Sequence, residues 1–552
     1  MANTKREIER KYELPEWPDA NQHGLPDLTR VGGVASICDK GVVELDAVYY
    51  DTPDLRLASD SLTLRRRTGG GDEGWHLKLP VAAGIRDEIQ APLADAVPDE
   101  LAALLRSRVR GAELAPVIRL LTSRDVSHLA DTEGELLAEV SVDTVHAQRL
   151  TGGSVRLATW TEVEVELAEG GDPALLDTVE KKFRKAGLRP AAAASKLARA
   201  LEETAPKRRR DGKGPGKKAA GKVRAGKKSA GKANVGKKNA HKKHAAKKAS
   251  ASTVRHEPVT AGDHVLAYLR KQADAIVAHD PAVRRDLPDA VHQMRVATRR
   301  MRSAFRSYRA VLDRTVTDPI GEELKWLAGE LGVDRDQEVL EHRLTAATDA
   351  VPGTLLLGPV RARLQIWTLT ERVDSRNRTL ALLDSPRYLA LLDTIDALLA
   401  NPPLRKAADR DAAGVLPRAV LKDYHRLAGR IEHAQTLAPG ETRDLALHDA
   451  RKAAKRARYA ADAARPALGG SAKRLARRMK ALQTVLGDHQ DSVVARETLR
   501  TLAVHAHAAG ETAFTWGLLY GQEEARADER ERELPQVWAE ASDPRLLSAL
   551  TR

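Results

Sequence analysis

Near the start of the chain, Glu7, Glu9 and Lys11 stand two residues apart in the string EIERK. Residues two apart on a β-strand share a face, so this spacing projects two carboxylates and an ammonium from one side. The same alternation recurs in Arg65 with Arg67, His76 with Lys78, Arg86 with Glu88, and Glu162 with Glu164 and Glu166. Carboxylates are hard oxygen ligands for Mg²⁺ or Mn²⁺ and leave coordination sites open for phosphate oxygens and water. Arginine forks and lysine ammonium groups neutralise phosphate charge. Acids at both ends of the region with cations between them therefore suit a tunnel that holds a polyanion through a metal. An ordinary barrel, charged outside and apolar within, fits the same pattern, because Ile8, Tyr12, Val163, Val165 and Leu167 fill the intervening positions.

A second constellation has helical spacing. His292, Arg295, Arg299, Arg302 and Arg306 advance by three or four residues and form one stripe. Met294, Ala297, Met301, Ala304 and Tyr308 form a stripe roughly opposite it. The pattern repeats with His448, Arg451, Lys455 and Arg458 on one face and Ala450, Ala453, Ala457, Ala460 and Ala464 on the other. A single basic stripe is usually a solvated surface. Two of them, each opening with a histidine and nearly free of acids, predict a positive channel for a polyanion. Zinc is disfavoured, since neither histidine has a second His or Cys at ligand spacing. Asp336 and Asp491 are available to fix Arg or His side chains by charge-assisted hydrogen bonds.

The elements that must position these residues divide the chain in three. Residues 1–205 contain short alternating runs (VVELDAVYYDT, LTLRRRT, WHLKLP, LLAEVSVDTV, TEVEVEL) bounded by Gly, Pro and Asp clusters, with helical stretches near 97–108 and 173–203. This predicts antiparallel strands in a barrel with a few helices. Residues 206–258 are a Lys/Ala/Gly-rich segment with lysine pairs every ten residues and almost no large apolar side chains, which predicts a disordered polycationic linker. Residues 259–552 read as helical throughout and repeat internally. VHQMRVATRRMRSAFRSY from Val291 aligns with LHDARKAAKRARYAADAA from Leu447, and LGVDRD from Leu331 with LGDHQD from Leu486. Two collinear matches predict tandem related bundles, at about 262–400 and 410–500, followed by C-terminal helices.

Charge follows the same division. The 552 residues carry 91 Lys and Arg against 77 Asp and Glu, a net +14. Residues 206–249 alone account for +17, which leaves the remaining 508 residues at −3. The single cysteine, Cys38, excludes an intramolecular disulfide and a thiolate metal cluster. With no apolar run long enough for a bilayer span and a polar start, the expectation is a soluble cytoplasmic protein without membrane association.

EIERK at Glu7–Lys11 resembles the ExExK signature of CYTH domains, the triphosphate tunnel metalloenzymes. YYDTPDLRLASDSLTLRRR, WHLKLP, IRDE, EVSVD, EVEVEL and SKLARAL are similar to that family in type and order. The resemblance implies an eight-stranded antiparallel tunnel that binds triphosphate with Mg²⁺ or Mn²⁺. By position it implies that Glu7, Glu9, Asp143, Glu162 and Glu164 ligate metal. Arg65, Arg67, Lys78, Arg86, Arg124 and Lys196 would hold phosphates, with Glu139 a further tunnel member. Lys11 would sit beside the phosphate under attack, so that Lys11, Glu7 and Glu9 form the catalytic group.

VHQMRVATRRMRSAF, LGVDRDQEV, LHDARKAAKRARYAAD and LGDHQDSVV resemble the CHAD domain, a helical module found fused to CYTH domains. That resemblance implies polyphosphate binding by His292, Arg295, Arg299, Arg302, Arg306, His448, Arg451, Lys455 and Arg458. The expected fold is therefore α+β in two domains, a CYTH tunnel over 1–205 and a CHAD tandem bundle over 259–552, joined by the 206–258 linker. The expected function is metal-dependent hydrolysis of inorganic triphosphate or short polyphosphate, with polyphosphate granules as one expected location. A noncatalytic polyphosphate-binding protein and a class IV adenylyl cyclase are the alternatives. The linker is expected to let the halves act independently, and to contact nucleic acid or other polyanions nonspecifically through charge alone. Residues after about 500 carry no assignment.

Overall fold

The computed structural model describes residues 3–14, 25–29, 31–152, 156–206 and 258–551. The predicted linker lies almost entirely outside the described residues, as does the side chain of Asp336.

The first half comprises β1 (Asn3–Glu13), β2 (Ser36–Asp51), α1 (Arg56–Ser59), β3 (Thr63–Thr68), β4 (Gly74–Ala82), β5 (Ile85–Ala91) and α2 (Asp99–Val109). It continues through β6 (Ala115–Ala130), β7 (Leu136–Arg149), β8 (Arg156–Leu167), α3 (Ala174–Lys185), the two-residue β9 (Arg189–Pro190) and α4 (Lys196–Glu203). The sheet runs β5-β4-β3-β2-β6-β7-β8-β1, and an additional β5–β1 pairing closes it into an antiparallel eight-stranded ring, with β9 appended to β1. β1 makes the closure by dividing its length. Asn3–Ile8 pair with β5, and Glu9–Glu13 pair with β8.

Strand alternation is resolved opposite to an ordinary barrel. The apolar positions face outward beneath helices, and the charged positions face a lumen. Tyr12, Val163 and Val165 pack against Leu176, Val179 and Phe183 of α3, where the Tyr12 and Phe183 rings meet edge to face at 4.9 Å. Leu64, Leu77 and Ile89 lie under Leu101, Leu104 and Leu105 of α2. Tyr49, Leu120 and Trp160 cluster with Leu197 and Ala200 of α4. Helices around the ring thus bury the apolar faces, which leaves the interior for charge.

The second half contains α5 (Ala261–Arg284), α6 (Ala290–Ser307), α7 (Arg314–Asp349), α8 (Val360–Asp384), α9 (Pro386–Ala400), α10 (Ala412–Thr436), α11 (Glu441–Ala508), α12 (Phe514–Ala541) and α13 (Pro544–Ser548). Thr260 starts α5 with a capping box to Asp263. The apolar stripe of α6 and the alanine stripe of α11 are buried in one core. α11 breaks at Gly469, whose φ of 57° is a conformation glycine adopts without steric cost. The chain then folds back, so that Gln483 donates to the Ala454 carbonyl at 3.0 Å.

Residues after 500, unassigned from sequence, complete this core. Trp516 and Leu519 of α12 are buried with Leu499 and Leu502 of α11. Arg343 of α7 reaches Asp488 of α11 and Glu523 of α12, both at 2.7 Å. The two halves touch, through α2 and β5 on one side and α5, α8 and α9 on the other. Among the described residues no helix is long and apolar enough to cross a membrane.

Candidate functional site

The ring encloses a cavity of about 430 Å³. Its wall carries Glu7, Glu9 and Lys11 from β1, Arg65 and Arg67 from β3, Lys78 from β4 and Arg86 from β5. Arg124 of β6, Glu139 of β7, Glu164 of β8 and Lys196 at the start of α4 complete the predicted set at the wall. Ser195 caps α4 by accepting from the Ala198 amide at 3.1 Å, and so fixes where Lys196 enters the lumen.

Cations and acids alternate around the wall. Lys78 Nζ lies 2.7 Å from Glu7 and 3.6 Å from Glu88. Lys11 bridges Glu9, at 3.0 Å, and Glu164. Lys196 contacts Asp143 at 2.8 Å, Glu162 at 3.1 Å and Glu164 at 2.5 Å. Arg124 forks onto both Asp143 oxygens at 2.8 and 2.7 Å and reaches Glu164 at 2.8 Å. Arg86 donates to Glu9 at 3.0 Å.

This packing shifts the titrations. Burial pushes the Glu7 carboxyl up to about 7, against Lys78 and with the neighbouring Glu88 charge adding to the rise. Burial is the largest influence and works to raise Glu9 and Glu164, but the cations together outweigh it, Lys11 with Lys78 and Arg86 at Glu9, and Lys11 with Lys196 and Arg124 at Glu164. Both therefore sit below the usual carboxylate range. Burial opposes the charge on Lys196, yet Glu164, Asp143 and Glu162 hold its pKa above the ordinary lysine value.

Two predicted metal ligands stand elsewhere. Asp143, fully buried, and Glu162, 3% exposed, are register partners on the same inward face as Glu139 and Glu164 but do not line the cavity, because Lys196 covers them, with Arg124 on Asp143 and the Trp160 indole N–H on Glu162. Among the described residues, no three tunnel carboxylates bring ligand atoms within 4.8 Å of one another. Cations are interleaved with these acids: Lys11 stands between Glu9 and Glu164, and Lys196 and Arg124 between Asp143 and Glu164, while Glu7 and Glu88 share a hydrogen bond beside Lys78. Glu88 and His76 were legible only as members of strand pairs. Glu88 accepts from His76 Nδ1 at 2.9 Å and from Arg65 at 3.3 Å, which makes it a junction of the β3, β4 and β5 walls.

The helical half holds a larger cavity of about 1490 Å³. All nine predicted residues line it: His292, Arg295, Arg299, Arg302, Arg306, His448, Arg451, Lys455 and Arg458. The two stripes therefore face one channel. Each repeat seats its first arginine over the glycine of its LG pair. Arg295 Nη1 donates to the Gly332 carbonyl at 3.5 Å, and a Cβ on Gly332 would come within 2.9 Å of that guanidinium. A Cβ on Gly487 would meet Arg451 at 3.4 Å. Asp491 lies 3.6 Å from Arg451, in the orienting role its position predicts. Burial together with Arg451, Arg299 and Arg295 pushes Lys455 down to about 7. Arg343 of α7, Arg426 and Arg430 of α10, and Lys480 of α11 also reach the channel, from positions outside the matched strings, where no periodic signal marked them.

Asp444, His489 and Glu531 form a separate group with ligand atoms within 4.8 Å. Arg443 on Glu531 (3.1 Å) and Arg496 on Asp444 (3.0 Å) make it an ion-pair network that ties α12 to α11. Burial works against the His489 charge, but the two carboxylates outweigh it and lift the imidazole to about 9.

The CYTH domain family profile matches residues 5–201, and that of the CHAD domain matches residues 267–500. The uncharacterised Mycobacterium tuberculosis proteins Rv2226 and MT2285, from two strains, are each 35% identical over 541 residues, covering 96% of this chain and 94% of theirs. Among solved structures, PptA from Streptomyces chartreusis is 21% identical, with TM-score 0.43, over 51% of this chain and 99% of its own. The CHAD domain from Ricinus communis is 25% identical, with TM-score 0.41, over 54% of this chain and 97% of its own. HpAC1 from Hippeastrum, described as an adenylyl cyclase with a dominant triphosphatase activity, is 20% identical, with TM-score 0.23, over 36% of this chain and 95% of its own.

Proposed function

Because the chain belongs to the proteins that join a CYTH domain to a CHAD domain, we propose that its tunnel hydrolyses inorganic triphosphate or short polyphosphate with a divalent cation, and that its helical half binds polyphosphate. The observation that carries this reading is the lining of the ring. Lys11, Arg65, Arg67, Lys78, Arg86, Arg124 and Lys196 converge on one cavity from five strands and a helix. Such a surface matches a chain of phosphates, whose charge is spread along its length.

The donor set suits a hard cation. Glu7, Glu9 and Glu164 offer carboxylate oxygens at the wall, the choice of Mg²⁺ or Mn²⁺ over softer metals. These three would hold the ion, while Asp143 and Glu162 set the position of Lys196 from behind. When bound, the ion would draw charge from the phosphate oxygens and lower the barrier to attack. The protein's own cations do the rest. Arg65, Arg67 and Lys78 hold one end of the phosphate chain, and Lys11, Arg124 and Lys196 face the other, where charge grows on the leaving oxygen. Glu9 and Glu164, held ionised beside Lys11, would orient a water for in-line attack as the phosphoanhydride bond breaks.

In the helical half, two basic stripes line a single channel, so a flexible polyanion can satisfy both repeats at once. A second reading, a noncatalytic phosphate-chain binder, is favoured by the lysines that separate the tunnel acids. Phosphate release from triphosphate, ATP, thiamine triphosphate and long polyphosphate, with Mg²⁺ or Mn²⁺, decides between the readings. Metal-dependent release from triphosphate supports hydrolysis. Binding without release leaves the noncatalytic reading, and preference for ATP points to nucleotide chemistry.

A further inference from the structure

β5 alternates Arg86, Asp87 and Glu88. Arg86 and Glu88 face the tunnel, so Asp87 faces outward, and it is nevertheless only 4% exposed. It accepts from Arg6, its register partner on β1, at 2.5 Å, and from Arg285 of the helical half at 2.9 Å. Behind the seam that closes the ring there is thus an ion-pair strut into the other half of the chain. The inner face of the same seam carries Glu7, Arg86 and Glu88.

The strut is anchored at both ends. Arg285 follows α5 in a turn where two non-glycine residues, Asp286 and Asp289, adopt positive φ of 56° and 64°. Such conformations persist where the surroundings over-determine them. Here Arg376 braces the turn by donating to the Val283 and Arg284 carbonyls, both at 2.6 Å. On the tunnel side, α2 ends at Arg110, which pairs with Asp393 at 2.8 Å and Asp396 at 2.6 Å on α9. Asp384 at the end of α8 accepts from Arg106 of α2 at 3.1 Å and from Arg284 at 2.7 Å. A cavity of about 780 Å³ remains between the halves, so these ion pairs, rather than a close-packed apolar core, carry the contact.

We infer that the helical half is a positioning part of the tunnel: docked through Arg285 on Asp87 and through Arg110 on Asp393 and Asp396, it holds the β1–β5 seam and thereby the placement of Glu7, Arg86 and Glu88. Arg285 acts through Asp87 and touches no tunnel ligand itself. The expected effect on triphosphate rests on the tunnel reading above, whereas the effect on the seam does not.

The test uses the full chain with Arg285→Glu and, separately, Arg110→Glu. Both place like charges across the contact, and neither side chain belongs to a buried core. Small-angle scattering should show the halves parting in each. Amide exchange in residues 3–8 and 85–90 should speed up about tenfold, while the β2–β6 pairing stays at its wild-type rate. Affinity for sodium triphosphate, measured by calorimetry, should fall roughly threefold or more as the wall loosens. Arg285→Lys should restore all three readings, as should Asp393→Lys with Asp396→Lys in the Arg110→Glu background. Halves that stay together in both charge reversals, or part with seam exchange unchanged, would overturn the inference. A wild-type protein that binds no triphosphate would instead refute the tunnel function and leave the seam measurement to stand by itself.

Discussion

Lys455 offers a measurement of whether both repeats act on one bound polyanion. It stands on α11 with Arg451 one turn before it and Arg295 and Arg299 of the other repeat across the channel; burial and these three guanidinium groups push it down to about 7, against Asp491. In the empty channel at pH 7 about half the molecules therefore carry a neutral amine. A polyphosphate chain brings negative charge to the same point and restores the amine toward its usual range near 10.5. Binding must then take up about half a proton at pH 7 and nearly one at pH 8.5. By linkage, affinity should fall roughly 15-fold between those values. Calorimetric titration of the full chain with polyphosphate, in buffers of different ionisation enthalpy, reads the uptake directly. Linker lysines titrate far above this window. His448 is likewise pushed down, by burial and by Lys452. Lys455→Arg should bind with little pH dependence and no uptake. Equal pH slopes for wild type and Lys455→Arg would refute the reasoning, because the proton would then belong to another group. The sign for folding is separate: an amine depressed in the native state makes the ligand-free protein gain stability as pH rises from about 7 toward 10.5.

Glu9→Gln and Glu164→Gln should each lower metal-dependent release of phosphate from triphosphate by about a hundredfold or more, because a neutral amide is a poor ligand, and each should also lower the melting temperature, because the part-buried Lys11 loses one of its two carboxylate partners. Replacing Arg295, Arg299 and Arg302 by Gln, or Arg451, Lys455 and Arg458, should each weaken polyphosphate binding and flatten its salt dependence, measured against a parent with the 206–258 linker shortened in all variants. His489 is raised to about 9 by Asp444 and Glu531, so the stability it contributes is complete below its unfolded value near 6.5 and is lost as pH rises through 9. Thermal melts should show that loss, on the order of a few kcal/mol, in wild type and not in His489→Gln.

Much of the site was legible because both of its patterns are local. Two-residue spacing marks Glu7, Glu9, Lys11, Arg65, Arg67, Lys78, Arg86 and Glu164 on the charged faces of their strands, and three-to-four spacing marks the nine channel residues, whereas Arg124, Glu139 and Lys196 were named only through the resemblance to CYTH domains. Alternation could not say which face points inward. Tyr12 and Val163 suit a barrel core as well as an exterior, and only the docking of Phe183 and its neighbours on α3 places them outside.

What only the tertiary structure decided is who stands next to whom across the chain. Asp143 and Glu162 are carboxylates like Glu9 and Glu164, but Lys196 and its helix cover them and leave them out of the cavity lining. Glu88 became a junction only when β3, β4 and β5 came together. Asp87 reads as one more strand acid until Arg285 arrives from a segment nearly two hundred residues away. Spacing along an element is set by backbone geometry and is present in the sequence. The sign of a neighbour's charge, and hence whether a carboxylate is free for a metal or committed to a lysine, depends on contacts that exist only once the ring has closed and the helices have packed.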